Sequence, residues 1–162
     1  MTTSLYVDTS VVVALGDNDD FFHKPSLKFM EGLRDRSILC SIGPPFLLEI
    51  AKSAEHRGTR AALRLLDTVE RYQIAVARNL DDEMWELADA YASDSSIGGV
   101  RFLDYMHCAS ATLLRCTHLA SWDRRHFNKR FEYFVCAVNR SRHLADLIVG
   151  DPRTIGRTLG IE

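Results

Sequence analysis

The sequence contains no apolar run near the ~20 residues that a membrane-crossing helix requires. Its opening, Met-Thr-Thr-Ser-Leu-Tyr-Val-Asp, lacks the basic stretch and long apolar segment of a secretory signal. Neither a membrane span nor an export leader is expected. Cysteine is sparse: Cys40, Cys108, Cys116 and Cys136 are widely scattered and form no Cys-x-x-Cys pair. This pattern points to a reduced cytoplasmic protein with buried thiols. Repeats, low-complexity tracts and Pro/Ser-rich linkers are also missing, so residues 1–162 read as a single domain. A net charge of −2 gives no excess of one sign and does not by itself imply nucleic-acid binding.

What is present is a 46% share of apolar residues, enough for a proper core, and an uneven spread of charge. Residues 124–162 hold eight Lys/Arg against four Asp/Glu, whereas residues 1–50 hold four against seven. An acidic front and a basic tail that fold side by side can present metal-binding carboxylates next to phosphate-binding cations. Ordinary surface charge explains the same asymmetry.

Short apolar segments alternate with helical patterns, which predicts a parallel α/β sheet. Strands are expected over residues 4–7, 37–40, 73–76 and 118–120. Helices are expected over 9–16, 22–36, 60–71, 80–92 and 103–115. A further helix opens at Gly43-Pro44-Pro45 and ends at Gly58. Residues 94–99 read as a loop, 133–138 and 144–149 as two candidate strands, and the stretch around Pro152 and Gly156 as an irregular end.

Ligands of open parallel sheets bind beyond the carboxyl ends of the strands. Asp8 stands one step past Leu5-Tyr6-Val7, and Asp123 follows Leu119-Ala120-Ser121-Trp122. Glu49 lies between Leu48 and Ile50, on a helix with apolar flanks, where a bare carboxylate needs a partner. Asp104 follows Phe102-Leu103 at the start of a mostly apolar helix. Singly, each has a plain alternative. Asp8 and Asp123 suit turns or helix caps, Glu49 can pair with Lys52 or Arg57, and Asp104 can complement the helix dipole for about 0.3–1 kcal/mol. As a set they make an electrostatic problem. Two like charges ~4 Å apart repel by about 4 kcal/mol at an effective dielectric near 20. A hard divalent cation relieves this, and oxygen ligands suit magnesium or manganese. Such an ion can polarise a phosphoryl oxygen, and two ions can stabilise both oxygens of an in-line displacement. Four acids without a Cys/His ligand motif therefore indicate phosphoryl chemistry rather than zinc proteolysis.

Four segments resemble motifs of the PIN-domain family, and within it the VapC-like toxin ribonucleases. They are Val7-Asp8-Thr9-Ser10, Ser41 through Glu49, Asp104-Tyr105-Met106-His107-Cys108-Ala109, and Leu119-Ala120-Ser121-Trp122-Asp123 followed by His126-Phe127. Their order and spacing across residues 5–127 carry the likeness. The resemblance implies a PIN-like doubly wound parallel sheet flanked by helices, a Mg2+ or Mn2+ site, cleavage of single-stranded RNA, homodimers, and a small antitoxin partner. Trp122 departs from it by its bulk, and the stretch 128–149 by its length.

Asp8, Asp104 and Asp123 are thus expected to bind metal, and Glu49 to bind it or orient the attacking water. Ser10 and Ser121 are expected to steer carboxylates through their hydroxyls, or else to cap turns. Arg124, Arg125, Lys129 and Arg130, interleaved with Phe127 and Phe131, are candidates for gripping RNA, with a solvated charged face as the alternative. Arg57, Arg60 and Arg64 form a second such ridge. His107, one turn after Asp104, reads first as a satisfied buried histidine, and His126 as structural. Asp17 to Asp20 read as a polar turn, and Asp81, Asp82, Glu83 and Glu86 as an acidic helix start. Asp94 is a minor candidate ligand. Two rivals remain: a PIN-like module that binds RNA or protein without cutting, and a haloacid-dehalogenase phosphatase. The second needs an Asp two residues after Asp8, where Ser10 stands.

Overall fold

The computed structural model describes residues 4–78, 81–94 and 97–161. Its centre is β1 (Ser4–Val7), whose Leu5, Tyr6 and Val7 are all fully buried. Burial of both faces of one strand is the mark of a parallel sheet covered on each side. β2 (Leu39–Ile42) pairs with one edge of β1 and β4 (His118–Ala120) with the other. β3 (Ala75–Val76) then adds outside β2, and β5 (Ile148–Gly150) outside β4. All four pairings are parallel, in the order β3-β2-β1-β4-β5. The expected doubly wound α/β sheet is therefore present, and the chain reverses its winding direction at β1. That switch point opens a crevice above the carboxyl ends of β1 and β4.

Eight helices connect and cover the strands among the described residues. α1 (Thr9–Gly16) packs on α2 (His23–Asp35), which packs on α8 (Pro152–Thr158). α5 (Asp82–Asp94), α6 (Phe102–Leu113) and α7 (Lys129–Ser141) form a second group. α3 (Pro44–Arg57) and α4 (Thr59–Arg71) make a hairpin that touches both groups, α4 on α1 and α3 on α6. Gly58, at φ +82°, makes the sharp turn between them. In α6 every residue from Asp104 to Thr112 is buried, so this helix runs through the core and carries its polar side chains inside.

Several local readings change. The expected strand at 133–138 is interior to α7, because Phe131, Val135 and Val138 recur at helical spacing on one buried face. Of the two candidate strands only the second survives, shortened to β5. The irregular end is α8, capped by Asp151, whose Oδ1 accepts from the backbone N–H groups of Arg153 and Thr154 at 3.0 Å each. Pro152 sits in its first turn, where no N–H is needed. β2 lies two residues later than expected. The expected helix start at residue 80, loop residues 95–96 and the side chain of Asp94 fall outside the described residues.

All four cysteines are buried and unbridged. Burial pushes the Cys40 thiol up to about 12 and Cys116 to about 11, so neither is a nucleophile. No helix among the described residues is long and apolar enough to cross a membrane.

Candidate metal centre

Asp8 ends β1 and caps α1. Its Oδ2 accepts the Ser10 hydroxyl at 2.6 Å, the Ser121 hydroxyl at 2.7 Å and the Ser10 backbone N–H at 3.3 Å. The two serines also accept backbone N–H groups from the segment after β4. Trp122 donates to Ser10 Oγ at 3.0 Å and Asp123 to Ser121 Oγ at 3.1 Å. Each hydroxyl therefore spends its proton on Asp8 and its lone pair on the Asp123 segment. Ser10 and Ser121 join the ends of β1 and β4 and hold the Asp8 carboxylate in one orientation.

The other oxygen, Oδ1, lies 3.3 Å from His107 Nε2. Glu49 Oε2 reaches the same nitrogen at 3.3 Å, from one turn into α3. One ligand atom from each of Asp8, Glu49 and His107 lies within 4.8 Å of the others. His107 Nδ1 is 2.8 Å from the Tyr6 hydroxyl, which accepts the Gly43 N–H at 2.9 Å. Tyr6 thus has its own proton to give to Nδ1, which leaves the Nε2 proton facing the carboxylates. Burial alone would lower the His107 pKa, but the charge of Asp8, the hydrogen bond and charge of Glu49 and the charge of Asp104 together hold it above the usual value.

Asp104 is 1% exposed, at the third position of α6. Its Oδ1 takes Arg101 Nη2 at 3.0 Å, and its Oδ2 takes the Arg101 backbone N–H at 3.1 Å. Asp123 Oδ2 is 3.9 Å from the same guanidinium. His126 Nδ1 stands between the two acids, 2.9 Å from Asp104 Oδ2 and 3.2 Å from Asp123 Oδ2. That nitrogen is buried yet makes no well-directed hydrogen bond. The Arg101 guanidinium, held mainly by its hydrogen bond to Asp104, also feels Glu49 and Asp123.

The structure places the four acids in one electrostatic neighbourhood but in two pairs: Asp8 with Glu49 around His107, and Asp104 with Asp123 around Arg101 and His126. His107, read from the sequence as a buried, satisfied histidine, is both, and its partners are the candidate ligands themselves. His126 faces the second pair. Arg101 carried no sequence signal beyond standing three residues before Asp104, which is the N-cap to N3 spacing of a reciprocal helix cap. Among the basic residues after Asp123, Arg124 pairs with Asp151 at 3.1 Å and Lys129 with Glu132 at 2.8 Å. Arg125 and Arg130 stay exposed. Trp122 fills a seat made by Ser26, which takes its indole N–H at 2.8 Å, and by Phe22, stacked on it at 4.3 Å. A cleft of about 910 Å3 lies elsewhere and is lined by mixed charges such as Arg78, Asp81, Arg115 and Asp146, with none of the four acids.

The donor set fits a hard cation. Asp8 and Glu49 each offer one oxygen within 4.8 Å of each other and of His107, whereas Asp104 and Asp123 are already faced by Arg101 and His126.

The comparisons with known proteins accord with this fold. The PIN domain family model matches residues 5–132. The chain belongs to the PIN domain family. This PIN domain is similar in fold to Mycobacterium tuberculosis VapC20, described as a Sarcin-Ricin loop cleaving toxin. The TM-score is 0.59 at 18% identity, over 74% of this chain and 90% of that one. It is also similar to a chain of VapBC2 from Rickettsia felis, solved with a DNA fragment from the promoter. There the TM-score is 0.57 at 11% identity, over 92% of this chain and 98% of that one. No curated protein matches the sequence significantly.

Proposed function

We propose that this PIN domain is a divalent-metal-dependent endoribonuclease that cuts single-stranded RNA in the cytoplasm, as the toxin of a toxin–antitoxin pair and as a homodimer. The observation that carries the reading is the convergence of the Asp8 and Glu49 carboxylates on one point beside the buried Asp104, at the switch point of a PIN sheet. A Mg2+ or Mn2+ ion bound there would polarise the scissile phosphate and acidify a water molecule. Asp8 would hold the cation through Oδ1, since Ser10 and Ser121 occupy Oδ2. Glu49, less buried than Asp8, would orient the attacking water and take its proton. Arg101, whose side chain is 58% exposed, can bind a phosphoryl oxygen with the face not used by Asp104. Attack at phosphorus breaks the bond to the 3′ oxygen, which leaves with a proton from solvent; the products carry a 5′-phosphate and a 3′-hydroxyl.

Trp85 and Phe102 support the choice of an unpaired strand. They stack at 5.8 Å, are about two-fifths exposed, and Phe102 adjoins Arg101 in the chain. An exposed aromatic pair gives a splayed base a stacking partner. Similarity in fold to a Sarcin-Ricin loop cleaving toxin and to a chain of VapBC2 supports a nucleic-acid substrate and a protein partner. Buried, unbridged thiols suit a reducing compartment.

The test is cleavage of unstructured RNA by purified protein with Mn2+, with Mg2+, and with chelator. Cleavage is expected only with metal, and Asp8→Asn should remove it while the melting transition persists. Full activity in that variant would overturn the assignment. Metal-independent binding without hydrolysis would instead favour a non-catalytic PIN-like module.

A further inference from the structure

A groove of about 540 Å3 runs between α2 and α8. The buried Phe29 and Gly156 lie at its base, with Pro25, Pro152 and Ile161 as its other apolar lining. Its walls carry four cations, Lys24 and Lys28 from α2 and Arg153 and Arg157 from α8, all exposed. Among the described residues no carboxylate lines it, and none of the four cations has an acidic partner within ion-pair distance. This sets the groove apart from the basic run after Asp123, where Arg124 and Lys129 are already paired.

The groove is linked to the metal centre through the buried Trp122. The Arg153 guanidinium, part of its wall, lies 5.8 Å above the ring of Trp122. The Trp122 backbone N–H donates to Ser10 Oγ, which in turn donates to Asp8, and the next residue is Asp123. Each helix presents its two cations at i and i+4, on one face and about 5–6 Å apart at Cβ, close to the separation of neighbouring phosphates along a strand. A row of unneutralised cations leading to a phosphodiester-cutting centre is complementary to one ligand above others, a nucleic-acid backbone.

We propose that the α2–α8 groove holds the phosphate backbone of the RNA substrate on one flank of the scissile bond, through Lys24, Lys28, Arg153 and Arg157. This rests on the ribonuclease reading above and adds to it where the substrate runs. Trp122 is then the junction between track and centre: its bulk supports Arg153 while its backbone ties to the carboxylate cluster.

The experiment uses Asp8→Asn protein, so that RNA survives, and follows the anisotropy of a labelled unstructured oligoribonucleotide over a salt series. The parent should bind, with affinity falling as salt rises. Single strands lose about 0.7 in the slope of log K against log salt for each phosphate contact removed. Lys24→Ser/Lys28→Ser should therefore make the slope shallower by about 1.4, and weaken binding roughly tenfold at low salt. Adding Arg153→Gln and Arg157→Gln should approach twice that slope change. Lys24→Arg/Lys28→Arg should restore the parent slope, and the exposed lysines permit these changes without loss of fold, checked by melting. An unchanged slope in the double variant, with the parent binding normally, overturns the groove assignment and leaves the ribonuclease reading standing. A parent that binds no RNA overturns both. Capture of poly-glutamate by the parent, lost in the double variant while RNA binding is retained, would reassign the groove to an acidic protein partner.

Discussion

At the scale of single residues, the site is held by a short relay that starts with Tyr6. Its oxygen accepts the Gly43 N–H, its proton goes to His107, and the far nitrogen of His107 faces Asp8 and Glu49. Tyr6 is fully buried, and burial together with the nearby Asp8 charge holds its hydroxyl neutral. Tyr6→Phe keeps the ring but leaves a buried N–H and a ring nitrogen without partners, at about 1–3 kcal/mol. A drop in melting temperature of roughly 2–4 °C per kcal/mol should follow for a chain of this size, and an unchanged melt would sink the relay. Arg101 acts the other way, as an internal cation on Asp104 and Asp123. Arg101→Gln should lower the melting temperature without metal and enlarge the stabilisation that saturating Mn2+ produces, because the freed carboxylates gain more from the ion. Thermal melts with and without Mn2+ read both effects; a smaller Mn2+ shift in the variant would contradict them.

At the scale of elements, the site depends on how closely the start of α3 approaches α6. Gly43 joins β2 to α3 with an ordinary backbone, φ −109°, so its conformational freedom is not the reason it is there. Space is the reason: a Cβ would lie 2.7 Å from the Ser110 Cβ and 2.9 Å from the Tyr6 hydroxyl. Gly43→Ala must push α3, which carries Glu49, away from α6, which carries His107. Overpacking of this kind costs about 1–3 kcal/mol. RNA cleavage should fall by more than stability alone explains, since Glu49 moves with its helix; stability lost with cleavage per folded molecule intact would refute this. The same logic gives Trp122 its place. In the sequence it is a bulky residue where small ones are common; in the fold it locks α2 to the loop after β4 through Ser26 and Phe22.

At the scale of the whole molecule, sheet closure determines how stability responds to pH. His118 starts β4 beside β1 and β5, bonded through Nδ1 to the Thr117 hydroxyl at 2.8 Å. Burial lowers its pKa, only partly offset by the Glu132 charge. The unfolded chain therefore takes up this proton at higher pH than the folded one. The contribution of His118 to stability is complete above the ordinary histidine value of about 6.5 and is lost as pH falls below it. His107, with a raised pKa, contributes in the opposite sense. Melting His118→Gln and the parent across this range should show a smaller loss on acidification in the variant. A larger loss would reverse the assignment.

Much of the fold was legible locally, because β1, β4 and α6 are apolar segments whose period and end signals are contained within a few residues. The candidate strand at 133–138 was not, since Tyr-Phe-Val-Cys-Ala-Val is apolar at both strand and helix spacing, and only burial of one face separates the two. Asp8 and Asp123 could be placed from sequence because Asp8 follows β1 directly and Asp123 stands three residues past β4. The sequence by itself determined the parallel α/β class, the four acids and the family likeness. The tertiary structure alone decided how the acids group. Asp8 and Glu49 meet across 41 residues of chain at a histidine read as structural, and Asp104 and Asp123 share an arginine that no motif announced. It also decided which cations pair, because charge pairing is a matter of through-space distance: the basic run after Asp123 is partly spent, while Lys24, Lys28, Arg153 and Arg157, from opposite ends of the chain, share one groove with no carboxylate in its lining among the described residues.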